Sequence, residues 1–205
     1  MPYLDIKNKY LSYKKYDSSI VSNLHACSYD STNNHFVLNN NYLPCLCFEK
    51  IRDLVFPSQN IHACDALFFS DTKKILVFIE FKNRDMGNPE STVIDDVCNQ
   101  AVDSIFVHKY VVVGIKDANL IEMHFLAVAS SEKNSDISLN EAIKIMLAVS
   151  GNLAGGSNSS VFNKQIESII NFKLVEKKYD HFGFKYSFIG MLLSNSFNLR
   201  FQSYL

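Results

Sequence analysis

The chain has 205 residues, of which 47% are hydrophobic and 20% charged, and its formal net charge is −1. This composition predicts one compact domain with a sizeable core and excludes collagen-like and low-complexity chains. A nearly neutral chain does not bind nucleic acid through bulk positive charge, so any phosphate contact needs a local basic patch or metal ions. The first residues lack a signal-peptide pattern and no apolar stretch reaches about 18 residues, so we expect a cytoplasmic protein without membrane segments.

The first helix of the core is predicted near residue 43, after a polar N-terminal decoration that spans residues 1–42. Pro44 suits the first turn of a helix, and apolar residues then recur at helical spacing from Phe48 to Val55. Pro57 ends this helix because proline donates no backbone hydrogen bond and restricts the residue before it. Cys45 and Cys47 would therefore lie on a helix, on different faces.

A β-hairpin is predicted next, because two apolar segments at residues 61–69 and 74–82 flank the turn sequence Ser70–Lys73. Side chains alternate along a strand, so Glu80 and Lys82 point to the same face. Antiparallel pairing around residues 71–73 places Asp65 opposite residues 79–81, beside Glu80.

The rest of the chain completes an α/β pattern. A loop at residues 83–91 precedes a predicted helix at 92–110, two strands at 110–115 and 121–129, and a helix at 142–149. The core is expected to span residues 43–150, with a C-terminal extension at 151–205 packed on it. Strand–helix–strand order implies a mixed central sheet flanked by helices.

Asp65, Glu80 and Lys82 form the group that points to chemistry. Two carboxylates on adjacent strand positions repel each other unless a cation lies between them. Oxygen ligands of this kind suit Mg²⁺, which binds through one or two carboxylates and keeps several waters. A neighbouring lysine is suited to orienting an attacking water or neutralising charge that develops on a phosphate.

Asp65, fourteen intervening residues and then Glu80-Phe81-Lys82 resemble the motif of the PD-(D/E)XK nuclease superfamily. The resemblance implies a restriction-endonuclease-like core and an Mg²⁺- or Mn²⁺-dependent endodeoxyribonuclease that hydrolyses phosphodiester bonds in DNA. It also implies that Asp65, Glu80 and the carbonyl of Phe81 bind the metal and that Lys82 is the catalytic lysine. Cys64 stands where the superfamily's name has a proline.

Two accessory residues are weaker candidates. Glu49 lies on the helix before the hairpin, where some members of the superfamily carry a further acid, although it is equally suited to a surface pair with Lys50 or Arg52. Gln100 lies on the helix after the motif, where related nucleases often place a Gln or Lys at the site. An ordinary solvated helix position explains Gln100 equally well.

Other readings of the same residues stay open. The chain is also compatible with a catalytically silent module of the same fold that binds nucleic acid or a protein, or with an unrelated α/β domain whose triad is a buried ion network. Substrate form, DNA against RNA and biological role are undetermined, and a homodimer or a partner subunit is expected. Close cysteine and histidine pairs lack the usual spacing of zinc ligands, so we expect buried free thiols. These pairs are His25 with Cys27, Cys45 with Cys47, and His62 with Cys64.

Overall fold

The computed structural model describes residues 2–84, 93–134 and 185–205. The predicted helix at 142–149 and the predicted boundary near residue 150 lie outside these ranges. The helices are α1 (Pro2–Ser12), α2 (Leu24–Cys27), α3 (Phe48–Val55), α4 (Val93–Val111) and α5 (Ser194–Phe201), with 3₁₀ turns at Tyr13–Lys15, Ser18–Ile20, Ala118–Leu120 and Gln202–Tyr204. The strands are β1 (Val21–Asn23), β2 (Tyr29–Asp30), β3 (His35–Phe36), β4 (Pro44–Cys47), β5 (Ala66–Ser70), β6 (Ile75–Lys82), β7 (Glu122–Ala129) and β8 (Lys185–Leu193).

Within the described ranges, six strands form one mixed sheet in the order β1-β4-β5-β6-β7-β8. The pairs up to β5–β6 are antiparallel, whereas β7 runs parallel to β6 and β8 runs parallel to β7. Strands β2 and β3 form a separate two-stranded hairpin. The mixed sheet with its helices confirms the predicted α/β class, and both predicted terminal segments contribute strands to the sheet.

The core lies on both faces of the sheet because the side chains of β6 alternate. Leu76 and Phe78 pack with residues of α1, α3 and α4, and we call this side the helical face. Val77 and Ile79 pack on the opposite side with residues of α2 and α5. Glu80 and Lys82 follow Phe78 at the same period of two, so the end of the helical face is polar.

The predicted hairpin is present, and its register agrees with the prediction. Ser70 pairs with Ile75 and Ala66 pairs with Ile79, so the next position in register places Asp65 opposite Glu80. Strand β5 is shorter than predicted, because it begins at Ala66 rather than near residue 61. The backbone carbonyl of Asp65 instead accepts a hydrogen bond from the Phe48 N–H, at 2.9 Å, which joins the hairpin to the start of α3.

Two predicted elements are wrong. Pro44 begins a strand, β4, and the helix starts four residues later at Phe48, so Cys45 and Cys47 lie on a strand. A strand at residues 110–115 is also absent, because α4 continues to Val111. The Val112 N–H donates to the His108 carbonyl at 3.0 Å and both Val111 and Val112 are buried, so packing of a helical turn overrides the β-propensity of the valines. Gly114, at φ +85°, follows in the turn after the helix.

No helix in the described ranges is long and apolar enough to cross a membrane.

Candidate active site

A cavity of about 260 Å³ lies beside the end of β6, where that strand extends past β5. Its lining includes every residue that the sequence nominated: Glu49, Asp65, Glu80, Phe81, Lys82 and Gln100. These residues come from α3, β6 and α4 and from the segment just before β5. The fold therefore brings together side chains that are up to 51 positions apart along the chain, from Glu49 to Gln100.

Asp65 lies between the start of α3 and the end of β6. Its Oδ2 accepts a hydrogen bond from the Phe81 N–H at 2.6 Å, where a longer β5 would have supplied a backbone carbonyl. The N–H and C=O of one residue point to the same edge of an extended strand, so the Phe81 carbonyl also faces the Asp65 side. The next carbonyl, that of Lys82, points to the other edge and accepts from the Ser130 N–H at 2.8 Å. Asp65 and the Phe81 carbonyl thus lie on the same side of β6.

Glu80 and Lys82 form an ion pair inside the cavity. The Lys82 Nζ lies 2.7 Å from Glu80 Oε1, and only 2% of the Glu80 side chain is exposed. Lys82 is also largely shielded from solvent, which strengthens the attraction between the two charges. Glu80 Oε1 is therefore paired with the ammonium group, whereas Glu80 Oε2 takes no part in this ion pair.

Glu49 and Gln100 enter the cavity from the helices on either side. Glu49 lies in the first turn of α3, and its carboxyl acts electrostatically on both Asp65 and Glu80. Gln100 lies on α4, where the buried neighbours Val97 and Ala101 anchor the helix against the sheet. The Gln100 amide interacts with the Glu80 carboxyl and lowers its pKa. Both residues are therefore placed at the site rather than away from it.

The carboxyl groups of the cavity hold protons more tightly than they do in water. Burial raises the pKa of Asp65 well above its ordinary value, and the Glu80 and Glu49 carboxylates raise it further. Burial also raises the pKa of Glu80 to about 7, against the opposing effect of Lys82. The pKa of Glu49 is raised as well, first by loss of solvent around its carboxyl. The lining contains four acidic residues, Asp30, Glu49, Asp65 and Glu80, against the two basic residues Lys82 and Arg84, so the cavity favours an added cation.

Three buried oxygen atoms that belong to residues lining this cavity have no hydrogen-bond partner among the described residues. They are Glu80 Oε2, Asn83 Oδ1 and Gln100 Oε1, and all three residues line the cavity. A buried acceptor without a donor costs about 1–3 kcal/mol, so three in one cavity indicate an occupant that supplies positive charge or hydrogen atoms.

The donor set fits a hard divalent cation. No group of three or more His, Cys, Asp or Glu residues in the described ranges is arranged to hold a metal ion. The available donors are instead two carboxylates, one backbone carbonyl and two side-chain amide oxygens. Mg²⁺ binds in this manner, through one or two carboxylates with the remaining positions filled by water and substrate. The residues at hand therefore fit Mg²⁺ or Mn²⁺ better than a soft metal.

Part of the cavity lining was not predicted. It includes Tyr29 and Asp30 from β2, together with Asn83, which follows β6. The Asn83 Nδ2 donates to Asp30 Oδ2 at 3.2 Å, and this bond connects the β2–β3 hairpin to the end of β6. The polar sequence after Asp30 indicates a turn, but nothing in it indicates that this segment lines the same cavity as Asp65, Glu80 and Lys82.

Cys27 also lines the cavity, and its thiol is not a nucleophile. Its Sγ lies 3.6 Å from Cys45 Sγ. The pKa of the Cys27 thiol is raised to about 12, first by the hydrogen bond with Cys45 and further by burial. A thiol that stays protonated attacks poorly, which agrees with the expectation of free structural cysteines.

Comparison with known proteins finds no relative. No family model matches the sequence, and neither the curated proteins nor the solved structures include a match. The functional argument consequently depends on the site itself.

Proposed function

We propose that this protein is a metal-dependent nuclease that hydrolyses phosphodiester bonds in DNA. Asp65, Glu80 and the Phe81 carbonyl bind Mg²⁺ or Mn²⁺, and Lys82 assists the attack of water. In this proposal α3, the β5–β6 hairpin, α4 and β7 correspond to a restriction-endonuclease-like core. Glu49 and Gln100 complete the site from the two flanking helices.

One observation carries the proposal. Asp65 and Glu80, whose carboxyl groups both have raised pKa values, line one cavity together with Asn83 and Gln100, and one buried oxygen atom each of Glu80, Asn83 and Gln100 lacks a partner among the described residues. A structural ion network would have been stabilised by filling these acceptors, because each unmade hydrogen bond costs folding free energy. A group of side chains that lowers the stability of the ligand-free fold is expected where a charged ligand binds.

The chain's own residues have separate roles in this chemistry. A bound divalent ion supplies Lewis-acid polarisation of a phosphoryl oxygen. The Phe81 N–H holds Asp65 Oδ2 at 2.6 Å and so orients the carboxylate towards the cavity. Lys82 Nζ, now 2.7 Å from Glu80 Oε1, donates hydrogen bonds to the attacking water or to the charge that develops on the phosphate.

Cleavage assays on purified protein test the proposal. Linear, supercoiled and branched DNA, with RNA alongside, are incubated with Mg²⁺, Mn²⁺, Ca²⁺ or excess chelator. We expect cleavage with Mg²⁺ or Mn²⁺, weak cleavage with Ca²⁺ and none in chelator, since the reaction needs a strongly polarising ion at an oxygen-ligand site. Full cleavage in chelator contradicts the metal's role.

A second candidate is binding without cleavage, and the Glu80–Lys82 ion pair favours it. The ammonium group already neutralises one carboxylate at 2.7 Å, so the cluster has a partial counter-charge without metal. A protein that binds DNA in the presence of Mg²⁺ but cuts none of the substrates in the panel supports this alternative and contradicts the nuclease proposal.

A further inference from the structure

Four rings form a continuous row next to the candidate active site. Tyr29 contacts Phe36 with ring centroids 4.9 Å apart, Phe36 stacks on His25 at 4.1 Å, and His25 contacts Tyr42 at 5.2 Å. We call Tyr29, Phe36, His25 and Tyr42 the aromatic row. Its two end members are the exposed ones, with 44% of Tyr29 and 63% of Tyr42 accessible to solvent.

The row is held in place by polar contacts at its edges. The His25 Nδ1 lies 2.7 Å from the Leu38 carbonyl oxygen, and because a carbonyl only accepts, Nδ1 carries the proton. The Tyr29 hydroxyl donates to Asn34 Oδ1 at 2.8 Å. Rings fixed in this way lose little conformational entropy when a flat ligand stacks on them.

The row continues directly into the cavity. Tyr29 lines the cavity itself, and the next residue, Asp30, accepts a hydrogen bond from Asn83, which follows Lys82. A strand with its phosphate at Lys82 would therefore have its neighbouring bases beside Tyr29. The charged groups beside the row are of both signs, because Asp30 is an acid, His35 lies 3.6 Å from Glu132, and Arg84 lines the cavity with Tyr29 and Asp30. The flat face of a base suits this surface better than a phosphate does.

We propose that the aromatic row is a stacking platform for unpaired bases of the strand whose phosphodiester enters the cavity. This inference depends on the proposed nuclease function and narrows its substrate to single-stranded or locally unpaired nucleic acid. Bases inside a duplex are already stacked and paired, whereas unpaired bases expose their faces, and stacking on aromatic side chains is tolerant of sequence. Tyr29 holds the base next to the cavity, and Tyr42 holds one farther along the row.

Equilibrium binding of fluorescent oligonucleotides tests the platform. The Lys82→Ala protein, in Mg²⁺, keeps substrate bound while turnover is suppressed, and each second substitution is introduced into it. We expect tighter binding of a single strand than of the matching duplex or of the same strand with abasic sites next to the cleavage position. Tyr29→Ala and Tyr42→Ala each weaken single-strand binding by about 5- to 100-fold and leave abasic binding unchanged. Tyr29→Phe and Tyr42→Phe, which keep the ring, retain most of the affinity.

Tyr16→Ala is the matched control, because Tyr16 is 66% exposed and does not line the cavity. It should leave both affinities unchanged, and thermal melts of all variants check that each one folds. Equal affinity for normal and abasic strands overturns the platform even when the wild-type protein cuts DNA with Mg²⁺, and leaves the row for a protein partner. Absence of metal-dependent cleavage of any substrate is a different result, because it contradicts the proposed function on which the platform depends.

Discussion

The helical face of the sheet buries polar groups at two neighbouring places. One is a neutral hydrogen-bonded pair in the core, and the other is a charged cluster that lines the cavity. In the core, His108 stacks edge-on against Phe78 with ring centroids 5.9 Å apart, and its Nδ1 lies 2.8 Å from the Tyr10 hydroxyl. Two residues farther along β6, Glu80 is equally buried but faces Lys82 and the cavity. Burial lowers the pKa of His108 to about 3, so the first group is neutral at neutral pH.

The comparison separates a polar pair that serves the fold from a cluster that weakens it. The Tyr10–His108 pair carries no charge and needs no ion from outside, so it fits a dry core. In the Asp65–Glu80–Lys82 cluster, Glu80 Oε2 has no hydrogen-bond partner among the described residues and two carboxyl groups face one ammonium group, which costs folding free energy unless a ligand balances it. Changes at the first place should therefore alter stability alone, whereas changes at the second should alter function.

The largest expected effect is that of Lys82→Ala on cleavage. Removal of the ammonium group should lower single-turnover cleavage by about 100- to 1,000-fold, as loss of a preorganised donor to a transition state usually does. Metal binding should be largely kept, because an ammonium group is not a metal ligand. Lys116→Ala, at an exposed lysine outside the cavity, is the control and should cut normally. Unchanged turnover in Lys82→Ala would assign the catalytic role to another residue.

Asp65→Asn should raise the stability of the metal-free protein and remove most of the stabilisation by Mg²⁺. Two carboxylates roughly 4–6 Å apart repel by about 1 kcal/mol or more in a partly wet cleft, so the variant should melt about 2–4 °C higher than wild type in chelator. Asn keeps an oxygen that can accept from the Phe81 N–H. Saturating Mg²⁺ adds about 2.7 kcal/mol at one hundred times its Kd in the wild type, and this increment should nearly vanish in the variant.

Thermal melts in chelator and in millimolar Mg²⁺ measure both effects of Asp65→Asn. Asp117→Asn, at an exposed acid after α4 whose side chain makes no capping hydrogen bond and does not line the cavity, controls for general loss of negative charge. If Asp65→Asn melts lower than wild type in chelator and still gains the full Mg²⁺ increment, Asp65 is a structural residue and the metal site is elsewhere.

The stability of the metal-free protein should depend on pH through Glu80. Its folded pKa of about 7 lies above its ordinary 4.5, so its contribution is present below pH 4.5 and is lost as the pH rises through 7. His108 acts in the opposite direction, because its folded pKa is lowered and its contribution is lost as the pH falls from 6.5 towards 3. The difference between Glu80→Gln and wild type isolates the first effect.

We expect Glu80→Gln and wild type to melt at similar temperatures near pH 4.5 in chelator. The variant should become progressively more stable than wild type up to about pH 8, by several degrees, because Gln never acquires the buried charge. A constant difference in melting temperature between the two proteins across this range would mean that the pKa of Glu80 is the same in the folded and unfolded states.

The smallest effect on cleavage is expected for Tyr10→Phe, which removes the hydroxyl beside His108. Loss of the buried hydrogen bond between Tyr10 and His108 costs about 1 kcal/mol, so the variant should melt a few degrees lower. Cleavage measured below that melting temperature should be unchanged, since Tyr10 does not line the cavity. A loss of activity with little change in melting temperature would break the distinction between the two places.

Much of the site could be predicted from sequence because it depends on local patterns. Alternation along β6 puts Glu80 and Lys82 on one face, and the turn at residues 71–73 determines that Asp65 lies opposite Glu80. Both follow from strand geometry over a short stretch of chain. The helices that carry Glu49 and Gln100 were predicted for the same reason, from apolar spacing within each helix.

Long-range packing decided the remainder. Pro44 was predicted to start a helix, but pairing of β4 with β1 and β5 makes the segment a strand. Valines at 111 and 112 favour a strand locally, yet burial keeps the first in α4 and the second in the turn after it. Asp30 and Tyr29 line the cavity through contacts between distant segments, among them the hydrogen bond from Asn83, 53 residues away, to Asp30. Sequence by itself thus determined that Asp65, Glu80 and Lys82 lie close together at one end of the hairpin, since a period of two is a local property. Only the tertiary structure decided that Tyr29 and Asp30 line the same cavity, because contacts between distant segments depend on the free energy of the whole core.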